Sequence, residues 1–154
     1  MTGEYLTRLV AELLVAVATL SGYPLPSRQS DVVMIPHEEL EQAACGRPCR
    51  VFGWSPPGAT IYLDDRLDLG GDLFARSILV HELTHYLQQE SGRFGNRRNC
   101  GEWMQREREA YLVQYRWLAH EQGAPVQAPL GVGTVPWLVA CRDEPNGGNG
   151  GLGG

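Results

Sequence analysis

Two histidines and a glutamate interrupt an otherwise apolar run, LVHELTHYLQQE, from Leu79 to Glu90. Residues four apart on a helix lie one turn above each other, so the imidazoles of His81 and His85 can reach one point from the same side. Nitrogen ligands at that spacing suit Zn²⁺. Glu82, next to His81, points past such an ion toward a water, which is the place of a general base rather than a ligand. The bland alternative is a helix with two chance histidines among Leu79, Val80, Leu83, Tyr86 and Leu87. Burying two imidazoles and a carboxylate there without a shared purpose would be costly, and a zinc ion removes the conflict. The string HEEL at His37 has no second histidine four residues on and reads as an ordinary helix start.

A catalytic zinc normally takes three protein ligands and leaves the fourth place for water. The pattern that supplies a third histidine after a glycine is excluded, because Gln88 and Ser91 stand at those two positions. A glutamate from the next helix is the other solution, and CGEWMQREREAYLVQYRWLAH offers Glu102, Glu107 and Glu109. The face containing Glu107 also carries Trp103, Met104, Ala110, Tyr111, Gln114 and Leu118, and is the most apolar one. It should pack inward, with Ala110 letting the two helices approach. Glu109 projects toward Gln105, Arg106 and Arg116. Glu107 is therefore the expected third ligand and Glu109 the alternative.

The elements that must hold these groups follow from pattern and punctuation. Thr2 to Ser21 reads as an amphipathic helix ended by Gly22 and Pro24. DVVMIP reads as a buried strand, PHEELEQAAC as a short helix stopped by Gly46, and CRVFGWS and TIYLDD as two strands around the turn SPPG. After the break LGGD, with Asp72 as N-cap, the metal-motif helix is expected over Leu73 to Glu90 and a further helix over Glu102 to Glu121. The order implies an α+β domain with a small sheet beside helices. The domain is expected over residues 1–144, followed by a flexible Gly-rich tail, 145–154. GVGTVP lacks the third glycine and the strand–turn–helix setting of a dinucleotide loop.

A chain of 154 residues suits one domain. Its net charge of −5 and the absence of any Lys/Arg run argue against nucleic acid as a partner. LVAELLVAVATL, Leu9 to Leu20, is too short to span a bilayer, so no integral membrane segment is expected. Glu12 inside it and Glu4 before it favour a folded helix over a signal peptide. Four cysteines, Cys45, Cys49, Cys100 and Cys141, slightly favour a periplasmic or secreted setting over a cytoplasmic one. Cys100 with Cys141 and Cys45 with Cys49 is the pairing favoured among three.

HELTH with the downstream EREA resembles the gluzincin-type zinc metallopeptidases, the thermolysin-like branch of the zincins. HELTHYLQ and EREAY also resemble small bacterial zincin-like proteins, and the resemblance covers Ser77 to Leu118. It implies a minimal zincin fold: a small twisted sheet, the HExxH helix and a glutamate helix. It also implies a peptide or protein substrate paired along an edge strand beside the cleft, for which ATIYLDD is the candidate. Zinc on His81, His85 and Glu107 would acidify its water to about pKa 7. Glu82 would take the proton as that water attacks a peptide carbonyl, then pass it to the leaving amine. Tyr111 stands where many relatives of that type have an Asp or Asn, and is a candidate for supporting a ligand or the transition state. Tyr86, Tyr115 and His120 are further candidates for the transition-state donor. That departure motivates one rival reading, a non-catalytic zinc-binding domain acting in partner recognition. A structural zinc closed by Cys100 is a second rival.

Overall fold

The computed structural model describes residues 1–95 and 99–124. The domain end expected at residue 144, the Gly-rich tail and Cys141 lie outside the described residues. Within them the chain is α+β. The order is α1 (Gly3–Ser21), β1 (Asp31–Ile35), α2 (His37–Cys45), β2 (Gly53–Trp54), β3 (Thr60–Asp64), α3 (Leu73–Ser91) and α4 (Cys100–Gln122).

The helix ends follow their capping residues. Thr2 accepts a hydrogen bond from the Tyr5 amide, and Gly22 closes α1 in the left-handed region. Asp72 accepts from the Phe74 amide at the start of α3, and Gly92 ends that helix. Asn99 accepts from the Glu102 amide, so α4 starts at Cys100, two residues before the expected Glu102. No described helix is long and apolar enough to cross a membrane.

In α1, Leu9, Val10, Leu13, Leu14 and Val17 form one buried stripe that packs on α3 and α4. The same core takes Leu79, Val80, Leu83, Tyr86 and Leu87 from α3. Val113, Trp117 and Leu118 enter it from α4, and Ile61 and Leu63 from β3. Helix α3 is thus surrounded: by α1 and α4 on its helical sides and by β2 and β3 on the other. A helix enclosed this way carries a polar group only where it has a partner, which is why its buried Ser77, His81, Glu82, Thr84 and Gln88 are informative.

The sheet has the order β1-β3-β2. β1 runs parallel to β3 from Asp31 opposite Thr60 to Ile35 opposite Asp64. β2 is antiparallel to β3, with Gly53 opposite Leu63 and Trp54 opposite Tyr62. This corrects two expectations. CRVFGWS yields only a two-residue strand, because only Gly53 and Trp54 find ladder partners on β3. And the strand in ATIYLDD is central rather than an edge: parallel pairing places β1 on one side of it and β2 on the other. The edge strand beside α3 is β2.

The far ends of the sheet are pinned by one buried carboxylate. Asp64, 1% exposed, accepts hydrogen bonds from the Arg66 side chain and amide, and pairs with Nδ1 of His37 at 2.7 Å. Nε2 of His37 lies 2.9 Å from Glu41, so the HEEL histidine ties the start of α2 to the end of β3. The Arg66 guanidinium holds the Asp64 carboxyl down at about 2, against a burial that works the other way. Cys45, the last residue of α2, and Cys49 in the loop that follows form a disulfide.

Candidate metal centre

α3 and α4 pack face to face, and fully buried Ala110 sits in that contact. His81 and His85, one turn apart on α3, turn their rings to α4, where Glu107 meets both. Nε2 of His81 lies 3.2 Å from Glu107 Oε2, and Nε2 of His85 lies 3.0 Å from Oε1. The two Nε2 atoms are 3.1 Å apart. One ligand atom from each residue falls within 4.8 Å of the others, a group of the size that could hold one ion.

The outer nitrogens decide what the inner ones can offer. Nδ1 of His81 faces Gln114 Oε1 at 3.1 Å, and Nδ1 of His85 faces Gln88 Oε1 at 2.9 Å. An amide oxygen only accepts, so each Nδ1 carries its proton and donates it. In a neutral ring the lone pair then sits on Nε2. Two such lone pairs 3.1 Å apart with a carboxylate over both repel one another unless a positive charge, a proton or a metal ion, lies among them. A divalent cation with a preference for imidazole and carboxylate fits this donor set, and Zn²⁺ is the common one.

Charge at the site is arranged the same way. Burial works to raise the Glu107 carboxyl, but the two histidines outweigh it and hold it well below the usual carboxylate range. Burial works to lower the His85 imidazolium, yet the Glu107 carboxylate beside it, with help from Glu82 and Gln88, lifts it to about 9. Glu82 differs from its neighbours: it is 6% exposed, and burial raises its pKa above the ordinary carboxylate value against the pull of both histidines. It stands beside the donor group without belonging to it. Its other neighbour is Gly53 of β2. A Cβ at Gly53 would lie 2.7 Å from Glu82 Cγ and 2.9 Å from Oε1, so only glycine lets the edge strand come this close.

The remaining candidates sort by contact. Glu109 stands outside the donor group and accepts from Tyr23 Oη at 2.8 Å, from Gln88 Nε2 at 3.0 Å and from Arg93 at 3.0 Å. Burial and the Glu109 carboxylate push the Tyr23 hydroxyl up to about 12. Glu102 sits in the first turn of α4, its amide on the Asn99 cap. Tyr111 touches His81 with ring centroids 4.5 Å apart, and it is Gln114 that accepts the hydrogen bond from that histidine. Tyr115 stacks on Tyr111. Tyr86 is buried and donates to the Arg28 carbonyl at 2.7 Å, and His120 is exposed near the end of α4, so neither is brought to the donor group. Cys100 is in a disulfide, which removes it as a fourth ligand.

Gln88 as a histidine partner and Gly53 as the neighbour of Glu82 were not singled out in the sequence, and Gln114 only as a residue of the inward face. The signal for the glutamines was present: Gln88 lies three residues after His85, and Gln114 two turns after Glu107, each on the ligand face of its helix. No signal in the sequence marks Gly53, whose neighbour is set by strand pairing.

Compared with models of protein families, with curated proteins and with solved structures, the chain matches none.

Proposed function

We propose that the chain is a zinc-dependent metallopeptidase of gluzincin type, with His81, His85 and Glu107 as metal ligands and Glu82 as general base. The observation that carries the reading is a buried carboxylate, Glu82, placed beside a two-histidine, one-glutamate donor group that it does not join. A site built only to hold a metal has no use for that second carboxylate. Zn²⁺ held there supplies Lewis acidity, bringing the pKa of a water to about 7 and favouring charge development on a carbonyl oxygen. Glu82 takes the proton of the attacking water and returns it to the leaving amine. Its raised proton affinity suits both halves of that transfer. The peptide lies along β2, whose second edge pairs with no strand among the described residues and offers main-chain partners next to Glu82.

A non-catalytic, partner-binding zinc domain is the second reading. It is favoured by Tyr111 in place of an acid and by the engagement of Tyr86 elsewhere. The two readings separate on one pair of measurements. In the peptidase, Glu82→Gln keeps one zinc per chain by elemental analysis and loses cleavage of a peptide library. Zinc lost in Glu107→Ala and kept in Glu109→Ala assigns the third ligand; the reverse would move it to Glu109. Full activity in Glu82→Gln would sink the mechanism. Zinc binding with no cleavage by wild type would leave the partner-binding domain.

A further inference from the structure

A glutamine amide has two chemically opposite ends, and turned over it would present an N–H to the histidine it faces. Both glutamines of the site are prevented from turning. Gln88 is 3% exposed, and its Nε2 faces two groups that can only accept: the Arg106 carbonyl at 3.1 Å and Glu109 Oε2 at 3.0 Å. Reversal would set an amide oxygen against both. Glu109 is itself held, by the Tyr23 hydroxyl and by Arg93. Gln114, also 3% exposed, meets the hydroxyl of Ser77 at 2.9 Å. That hydroxyl gives its one proton to the Phe74 carbonyl at 2.7 Å, so toward Gln114 it can only accept.

We propose that Gln88 and Gln114 are positioning residues whose amides are locked from behind, Gln88 by Glu109 and the Arg106 carbonyl, Gln114 by Ser77. Each locked oxygen then fixes the proton of its histidine on Nδ1 and turns a bare Nε2 toward Glu107. The assignment rests on the metal reading and deepens it: it gives a role to Glu109, which touches no ligand, and to Ser77, two layers away from the donor group. Neutral amides at both outer nitrogens set ring orientation and tautomer without drawing the Nδ1 proton away, as a carboxylate there would tend to do.

The test uses the zinc-loaded full chain with ¹⁵N-labelled histidine. NMR of the ring nitrogens reports where each proton sits and how fast it exchanges, and competition with a chelator reports zinc affinity. In wild type both rings are expected to carry a slowly exchanging proton on Nδ1. Gln88→Met and Gln114→Met keep the volume and remove the acceptor. They should still bind one zinc, about 10- to 100-fold more weakly, with faster exchange at the adjoining ring. Glu109→Ala should loosen the His85 proton and leave the His81 proton unchanged, while Ser77→Ala should do the opposite. A general loss of packing would not select one ring. These two peripheral variants also carry the test if a glutamine variant fails to fold.

Folded glutamine variants with wild-type zinc affinity and unchanged ring signals would overturn the assignment and leave the metal reading standing. A proton on Nε2 in the zinc-loaded wild type would overturn the assignment and the metal reading together, because that nitrogen would then have no lone pair for an ion. A wild-type chain that binds no zinc would overturn the metal reading, and this assignment with it.

Discussion

Gly53→Ala adds one methyl group where the edge strand meets the proposed base. Elsewhere in a strand that change should help, by about 0.4–1 kcal/mol, because alanine leaves the unfolded chain less freedom. Gly53 is not among the residues with positive φ, so the backbone itself accepts alanine. Space does not. The new Cβ would stand 2.7 Å from Glu82 Cγ and 2.9 Å from Leu63 Cδ2, and both neighbours are enclosed, Leu63 fully. Opening the Glu82 contact to an ordinary van der Waals separation takes about 0.7 Å. Overpacking of this kind costs about 1–3 kcal/mol, so the net loss should be about 1–2 kcal/mol in chemical denaturation. The larger effect falls on chemistry. A displacement approaching 1 Å at a reacting group can cost about 100-fold in rate, and Glu82 cannot move away from β2 without changing its place relative to the donor group. Zinc stoichiometry should stay at one, since Gly53 touches no donor. The assay is peptide-library turnover beside elemental analysis and a denaturation curve. An alanine variant as stable as wild type and equally active would refute the close approach of β2 to Glu82.

Three further outcomes are expected. Asp64→Asn should cost about 1–2 kcal/mol at pH 7, discounted for the exposed Arg66 partner. A carboxyl held down at about 2 contributes stability above its unfolded value, lost as pH falls, so wild type and variant should converge between about pH 4 and pH 2 in acid denaturation. Free zinc at about a thousandfold excess over Kd should stabilise the chain by about 4 kcal/mol, raising Tm by about 10 °C in a thermal melt, with reversal by chelator. That gain should shrink as the pH falls below about 9, because zinc must then displace a proton from His85. Tyr86→Phe leaves the Arg28 carbonyl without its donor and should cost about 1 kcal/mol with turnover unchanged; lost turnover at full stability would return Tyr86 to the site.

The legible parts of this molecule are those written in local spacing. The stops at Gly22 and Gly46, the cap at Asp72 and the period of α3 and α4 gave the helices to within a residue or two. The inward face of α4 placed Glu107 rather than Glu109 opposite the histidines, because an apolar stripe with Ala110 in it has only one way to pack. The sheet was less legible. Nothing near TIYLDD shows that β1, some thirty residues earlier, will pair with it in parallel, and nothing in CRVFGWS shows that only two residues will find a ladder. Strand order is set by partners distant in sequence, and so the edge was assigned to the wrong strand. Hydrogen-bonded support was hidden for the same reason. Tyr111 occupies the position where an acid would be looked for, while the bond from His81 goes to Gln114, one turn further along the helix than that side chain's neighbour Tyr111.

The donors and the proposed base depend on different parts of the chain. His81, His85 and Glu107 come from two helices joined by a single connection. The seat of Glu82 against Gly53 asks for the sheet to be assembled and docked. The separations are similar, 26 residues from His81 to Glu107 and 29 from Gly53 to Glu82, so the difference between the two halves is that the base also needs β2 in place on β3. Metal capture would then survive local opening of β2, while hydrolysis would need that strand in place. A chain with β2 opened would hold its ion without cutting its neighbours.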